Sequence, residues 1–179
     1  GAHVPVQRPF RGGETVGVDG QCLRVIHAPG HTAGNLALYE ETHRVLLHGE
    51  SVMGAPWADG AGALFTPFGA NPLLYRKALE SLAALDFELY VSSHAPVADR
   101  AAGIAEIEVS LAALSAWEAT CRAALAQGAR DGAALAAAVA ADGGYAPGPR
   151  LDRQVGVWLE AEVRAGRAVR GPDGAVTAA

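Results

Sequence analysis

The order of apolar and polar positions changes rhythm partway along the chain. In the first part short apolar runs alternate with turn residues. "GETVGVDGQCLRVIHAPG" gives two strand-like runs around Val-Asp-Gly-Gln, and "NLALYEETHRVLLHGES" gives two more around Glu-Glu-Thr-His. Runs of this length, rich in Val, Leu and Ile and broken by Asp-Gly or polar turns, predict a meander of antiparallel pairs. "WADGAGALFTPFGANP" is rich in Gly, Ala and Pro and predicts a long surface loop, a length that in compact domains tends to be functional. In "NPLLYRKALESLAAL" the positions Leu74, Ala78, Leu82 and Leu85 recur at helical spacing, with Asn71 as N-cap and Pro72 at the first helical position. An amphipathic helix lying on a sheet is predicted there. "FELYVSSHAPV" then reads as a strand running straight into a histidine turn.

From residue 99 the period becomes helical. "DRAAGIAEIEVSLAALSAWEATCRAALAQG" opens on Asp99, closes on Gly128 and carries Ile104, Ile107, Leu111, Leu114 and Trp117 on one stripe. Two further helices are predicted, Asp131 to about Ala141 and Leu151 to about Ala165, followed by two short β runs around a Pro-Asp-Gly turn. Helix, helix, helix, hairpin is the order of a winged-helix module. The domain division expected is therefore residues 1–98, an α/β unit, and residues 99–179, a helical winged-helix-like unit.

Composition narrows the class without naming a function. The chain has 179 residues, half of them hydrophobic, 18% charged, with a formal charge of −5. That is an ordinary, mildly acidic globular chain. It has no apolar run of the roughly 18 residues that a spanning helix needs and no signal-peptide pattern, so a cytoplasmic protein without a membrane role is expected. Cys22 and Cys121 lie far apart and are expected to stay reduced. The chain begins on Gly rather than Met, which fits a tag remnant, a processed terminus or a piece of something longer. From Arg150 onward five arginines face four carboxylates. Phosphate-tracking surfaces need clustered positive charge, so a nucleic-acid partner is not expected, and the helical unit is read as packing on the rest, with Trp158 buried and a homodimer as a possible further role.

Three metal-ligating side chains fall at the ends of predicted strands: His31 in "APGHTAGN", Glu50 in "LLHGES" and His94 in "SSHAP". Loops at strand ends are where rigid scaffolds carry chemistry, and imidazole and carboxylate are ligands that Zn, Fe and Mn accept. Thr32, beside His31, is a natural supporting or turn-capping group. His48 falls on the same face as Glu50 if the strand stays regular to its end, which makes it a candidate supporting group or substitute ligand, against the more frequent role of such a histidine in the core or on the surface. His27 and His43 are assigned to local structure, and His3 has no partner of ligand type nearby.

"VIHAPGHTAGNLALYEETHRVLLHGESV", followed about forty residues later by "YVSSHAPV", resembles the C-terminal half of the metallo-β-lactamase superfamily. There a "PGHTxG" turn, a strand ending in "GD" and a strand ending in "GHG" or "GHxP" each supply a metal ligand. The resemblance implies half of an αββα sandwich, with His31 and His94 as ligands and Glu50 standing where an Asp usually bridges two metals. It implies a metal-dependent hydrolase of an ester-type bond (thioester, ester or phosphodiester), with one or two divalent ions in the complete protein, Zn first and Fe or Mn as alternatives. The tail from residue 99 resembles the winged-helix-like domain of the branch that includes lactamase-like thioesterases and nucleases.

Two departures bear on what the chain does alone. The family's "HxHxDH" motif is absent, so the partners implied are a small-molecule or thioester substrate and a missing N-terminal half, on the same parent protein or on another chain. The second departure is Glu50 for Asp. One extra methylene moves the carboxylate by about 1.5 Å, which a clamp on two ions about 3.5–4 Å apart does not absorb without a backbone shift. Binding to one ion, a site tuned to another metal, and lost catalysis all remain open. The alternative function is accordingly a degraded member that serves as a binding or regulatory module.

Overall fold

The computed structural model describes residues 8–69, 71–128 and 131–179; His3 lies outside them. The chain starts with the expected meander. β1 (Thr15–Val18) and β2 (Gln21–His27) pair through a tight turn at Asp19 and Gly20, both with positive φ, the twist-matched hairpin that Asp-Gly favours. β3 (Leu36–Glu40) and β4 (Val45–Gly49) are joined by a turn that the Glu40 carboxylate closes, accepting from the backbone N–H groups of Thr42 at 2.9 Å and His43 at 2.6 Å. His43 also meets this carboxylate, through Nδ1 at 3.0 Å, which accounts for it locally.

The segment after β4 differs from the surface loop that its composition predicts. It folds into a small hairpin, β5 (Trp57–Ala58) and β6 (Leu64–Phe65), with Trp57 stacked on Phe65. Downstream of it Thr66 and Phe68 are buried. The few large apolar residues among the glycines decide the outcome: Phe68 packs against Tyr75 and edge-on to Trp117.

α1 (Pro72–Ala83) is capped as expected, Asn71 Oδ1 accepting from the N–H groups of Leu73 and Leu74. Its buried stripe is Tyr75, Ala78, Leu79 and Leu82, whereas Leu74, expected on the inner face, is exposed. The stripe follows 3- and 4-residue steps from Tyr75, which turns Leu74 outward. After α1 the chain crosses back to form β7 (Leu89–Ser92), parallel to β4, and then β8 (Ala98–Asp99), so the main sheet runs β1-β2-β3-β4-β7-β8.

α2 (Arg100–Ala126) is capped by Asp99 and buries Ile107, Leu114, Trp117 and Cys121 along one stripe. α3 (Gly132–Gly143), α4 (Pro149–Arg164) and the hairpin β9 (Ala168–Arg170) with β10 (Val176–Ala178) complete the expected order. Trp158 is buried, as expected. One apolar cluster runs from Ala37, Tyr39, Leu46 and Tyr90 of the sheet through α1 and α2 to Leu135, Val155, Trp158 and Val176. None of the described helices is long and apolar enough to cross a membrane.

The two faces of the sheet are unequal. Registers Ile26↔Ala37 and Tyr39↔Leu46↔Tyr90 mark the face covered by helices. The opposite face, defined by Leu38↔Leu47↔Val91 and Leu23↔Glu40↔Val45↔Leu89, is just as apolar but more open. Leu89 there is 43% exposed, and a groove of about 630 Å³ runs over Leu23, Val45, Leu47 and Leu89.

Candidate metal centre

The Gly30–His31 turn leaves β2 and folds back over the end of β4, where the N–H of His31 donates to the carbonyl oxygen of Glu50 at 3.1 Å. Gly30 makes this approach possible. A Cβ on it would lie 2.6 Å from both Ser51 Cα and Ser51 O, inside any contact a real side chain makes. Thr32 closes the turn as a capping group: its hydroxyl and its N–H both donate to Asn35 Oδ1, the N–H at 3.2 Å. His27 braces the same turn through Nε2, which donates to the Ala33 carbonyl at 2.9 Å. Of the two imidazoles in this stretch, His27 therefore holds the turn and His31 is held by it.

His94 arrives from the other side, on the turn after β7. Ser92 Oγ accepts from the N–H groups of His94 and Ala95, and Ser93 N–H donates to Gly49 O at 3.2 Å, which locks this turn to the end of β4. His94 Nε2 then lies 2.8 Å from Glu50 Oε1. That bond, reinforced by the charges of His31 and His94, holds the Glu50 carboxyl below its ordinary value. Glu50 and His94 line one cavity of about 220 Å³ with Ser92 and Ser93, while His31 and Thr32 line another of about 410 Å³.

The donor set thus has the chemistry of a divalent-metal site: an imidazole, His94, bonded to the Glu50 carboxylate, and a second, His31, on the neighbouring turn. It is not closed around one point. Among the described residues no three His, Cys, Asp or Glu side chains are placed to hold a single ion. Glu50 is instead engaged by His94.

His48 does not join this group. A register shift between Leu47 and Gly49, with Gly49 at φ +58°, breaks the alternation on which a shared face with Glu50 depended. Its ring is fully buried, stacked on Tyr90 with centroids 4.2 Å apart, and neither ring nitrogen has a partner. Burial pushes its pKa down from 6.5 to about 4. The unfolded chain therefore takes up this proton first as the pH falls, so stability is kept above about pH 6.5 and lost on the way down to about 4. Between pH 7.5 and 5.0 the expected loss is about 2 kcal/mol. Urea unfolding at these two pH values checks it, with His48→Leu expected to flatten the difference; an equal slope in the variant would assign the loss to other groups.

The His31 turn rests on a second support that sequence reasoning missed. Gly69 N–H donates to Gly30 O at 2.7 Å, and a Cβ on Gly69 would lie 2.5 Å from His31 O. The loop carrying Gly69 is in turn clasped by α4. Buried Gln154 accepts from Thr66 Oγ1 at 2.9 Å and donates from Nε2 to the carbonyls of Phe68, at 2.9 Å, and Gly69. Arg150 Nη2 donates to Thr66 O at 2.9 Å and Phe68 O at 2.5 Å. The available signal was a Gln between the apolar positions Leu151 and Val155 of an amphipathic helix.

A mixed sheet backed by helices, with two imidazoles and a carboxylate on the turns after its strands, defines an α/β fold that carries side chains of metal-ligating type. The sequence matches the metallo-beta-lactamase superfamily over residues 1–94, and the chain belongs to that superfamily. Members of the superfamily bind divalent metals, typically zinc. The chain is similar to a hydroxyacylglutathione hydrolase of Dechloromonas aromatica (strain RCB), 40% identical over 77 residues, which cover 43% of this chain and 26% of that protein. In fold it is similar to a metallo-beta-lactamase family protein from Thermus thermophilus, with TM-score 0.61 and 24% identity over 96% of this chain and 54% of that one. A beta-lactamase domain protein from Burkholderia ambifaria gives TM-score 0.66 and 22% identity over 99% and 54%. The chain spans about a quarter of the length of the curated relative and about half of these two structures.

Proposed function

We propose that the chain supplies His31, Glu50 and His94 to the metal centre of a hydrolase acting on an ester-type bond, with a thioester as the favoured substrate, and that a further half completes the site. The observation that carries this reading is the pairing of His94 Nε2 with the Glu50 carboxylate at 2.8 Å, beside a separately built turn that ties the backbone of His31 to the backbone of Glu50. The open apolar sheet face supports the need for another half, since a face of this kind in a soluble protein marks an interaction surface. The 40% identity over 77 residues to a hydroxyacylglutathione hydrolase supports the substrate class.

When bound, a divalent ion supplies Lewis acidity toward the carbonyl or phosphoryl oxygen of the bond to be cleaved. The chain's own residues do the positioning. His27 and Asn35 fix the turn that presents the His31 ring, Ser92 fixes the turn that presents His94, and Glu50 holds the Nε2 edge of His94 until a ligand displaces it. A second reading, a degraded member that binds without catalysis, draws on the longer Glu50 side chain and its pairing with His94.

Titrating Zn²⁺ into the chain and following the histidine ring NMR signals tests the proposal. The His31 and His94 rings are expected to respond together and to revert with EDTA, and Glu50→Gln is expected to weaken the response about tenfold, the loss of one charged ligand. Rings that ignore Zn²⁺, or respond independently of each other and of Glu50, would remove the metal centre. Zinc bound without thioester turnover once both halves are present would favour the second reading.

A further inference from the structure

A cleft of about 230 Å³ opens between the β5–β6 hairpin and the segment that joins α3 to α4. The hairpin contributes Leu64 and Phe65 to its lining, and the other side contributes Tyr145, Pro147, Pro149 and Leu151. None of His31, Glu50 and His94 lines it. The two sides are tied together, since Leu64 N–H donates to Gly144 O and Ala146 N–H donates to Leu64 O, both at 2.8 Å. Phe65 is steadied by Trp57, stacked on it with ring centroids 4.1 Å apart, and the two prolines fix φ in the facing segment. The cleft is thus preformed, and a ligand that enters it has little to order.

Most polar groups on the lining are already satisfied within the fold. Thr66 Oγ1 donates to Gln154 Oε1, Gln154 Nε2 donates to the Phe68 and Gly69 carbonyls, and the Leu64 amide and carbonyl are taken by the bonds that tie the two sides. A water needs two to four polar partners to be held, so the cleft favours carbon over water. An apolar cavity of about 150 Å³ takes a benzene ring, so this one has room for a ring with a short substituent. Arg150 decides between a ring and a chain. It is the one cation among the described residues of the lining, fixed by the Thr66 and Phe68 carbonyls, with its Nε buried and unpartnered. A guanidinium that has given up part of its water is drawn to the face of an aromatic ring and not to a saturated one.

We propose that this cleft is a binding site for the aromatic ring of a small uncharged molecule. The inference stands on the cleft itself and does not draw on the hydrolase reading. Thr66, Arg150 and Gln154, which hold the loop beneath the His31 turn, all line the cleft, so a bound ring lies against members of that clasp.

The test uses the ¹³C,¹⁵N-labelled chain in EDTA, so that no metal takes part. Benzyl alcohol and its saturated counterpart, cyclohexylmethanol, are titrated separately, and the methyl signals of Leu64 and Leu151 and the ring signals of Phe65 and Tyr145 are followed. Saturable shifts are expected, with NOEs from the benzyl ring to both leucines and a Kd of about a millimolar for so small a ligand. Cyclohexylmethanol is expected to bind about threefold more weakly, the loss of the cation–π contact. Ala146→Phe keeps the backbone N–H that bonds Leu64, fills the cleft with its own ring, and is expected to abolish binding. Should that variant fail to fold, Ala146→Val narrows the cleft and is expected to weaken binding severalfold. Shifts that grow linearly without saturating, NOEs to Leu23 or Leu47 of the open sheet face in place of the cleft leucines, or an affinity unchanged in the folded Ala146 variant would overturn the site. Equal affinity for the two alcohols would overturn its assignment to an aromatic ring.

Discussion

A chain ending at residue 128 is expected to lose its solubility. Removing residues 129–179 takes away Leu135, Val139, Leu151, Val155, Trp158 and Leu159, all buried, and leaves the α2 side chains of Trp117, Cys121 and Leu125 without cover. An apolar surface of several hundred Å² opened at once exceeds what soluble monomers usually show, and it adds to the sheet face that is already open. The loss also reaches the candidate site, because the clasp from Gln154 and Arg150 on the Thr66–Gly69 loop goes with α4. Light scattering and size-exclusion chromatography of the truncated and full chains read the outcome. A truncated chain that stays monomeric, with the full chain's melting temperature, would show that the C-terminal helices are an appendage.

Gly30→Ala is expected to cost upward of about 3 kcal/mol, the top of the range for overpacking, and to lower the melting temperature by roughly 10 °C for a chain of this size. The reason is the rigidity of what the new methyl meets. Its neighbours are the backbone atoms of Glu50 and Ser51, which have no rotamer to change. To make room the His31 turn must lift off β4, and the 3.1 Å bond between His31 N–H and Glu50 O breaks. The variant should therefore also uncouple the Zn²⁺ responses of His31 and His94. Ala tolerated with the parent melting temperature would mean that the turn has slack the close approach does not reveal.

Elements governed by local chemistry were legible in the sequence. Asp19-Gly20 set the first hairpin, Asn71 and Pro72 the start of α1, and Asp99 the start of α2, because each acts on backbone within three or four residues. The three ligand-type side chains at strand ends were legible for the same reason. What escaped was fixed at long range. Phe68 looked like loop and is core, since Tyr75 and Trp117 receive it. His48 looked like a neighbour of Glu50 until a one-residue irregularity at Gly49 turned the chain. Arg150 counted only as balancing charge, because nothing in its own segment says that a cleft lies in front of it.

The clasp of α4 on the Thr66–Gly69 loop also dictates when the site can exist. Gln154 and Phe68 are 86 positions apart. A growing chain thus displays the His31 turn long before the residue that steadies its floor has been made. At synthesis rates of about 5–20 residues per second, that interval lasts several seconds. Through that interval β2, β3 and β4 can already be paired, while the platform under His31 waits for α4 to dock. The Gly30–His31 turn therefore has its direct bond to Glu50 early and gains its second support, through Gly69, only once α4 has been synthesised and has closed over the loop.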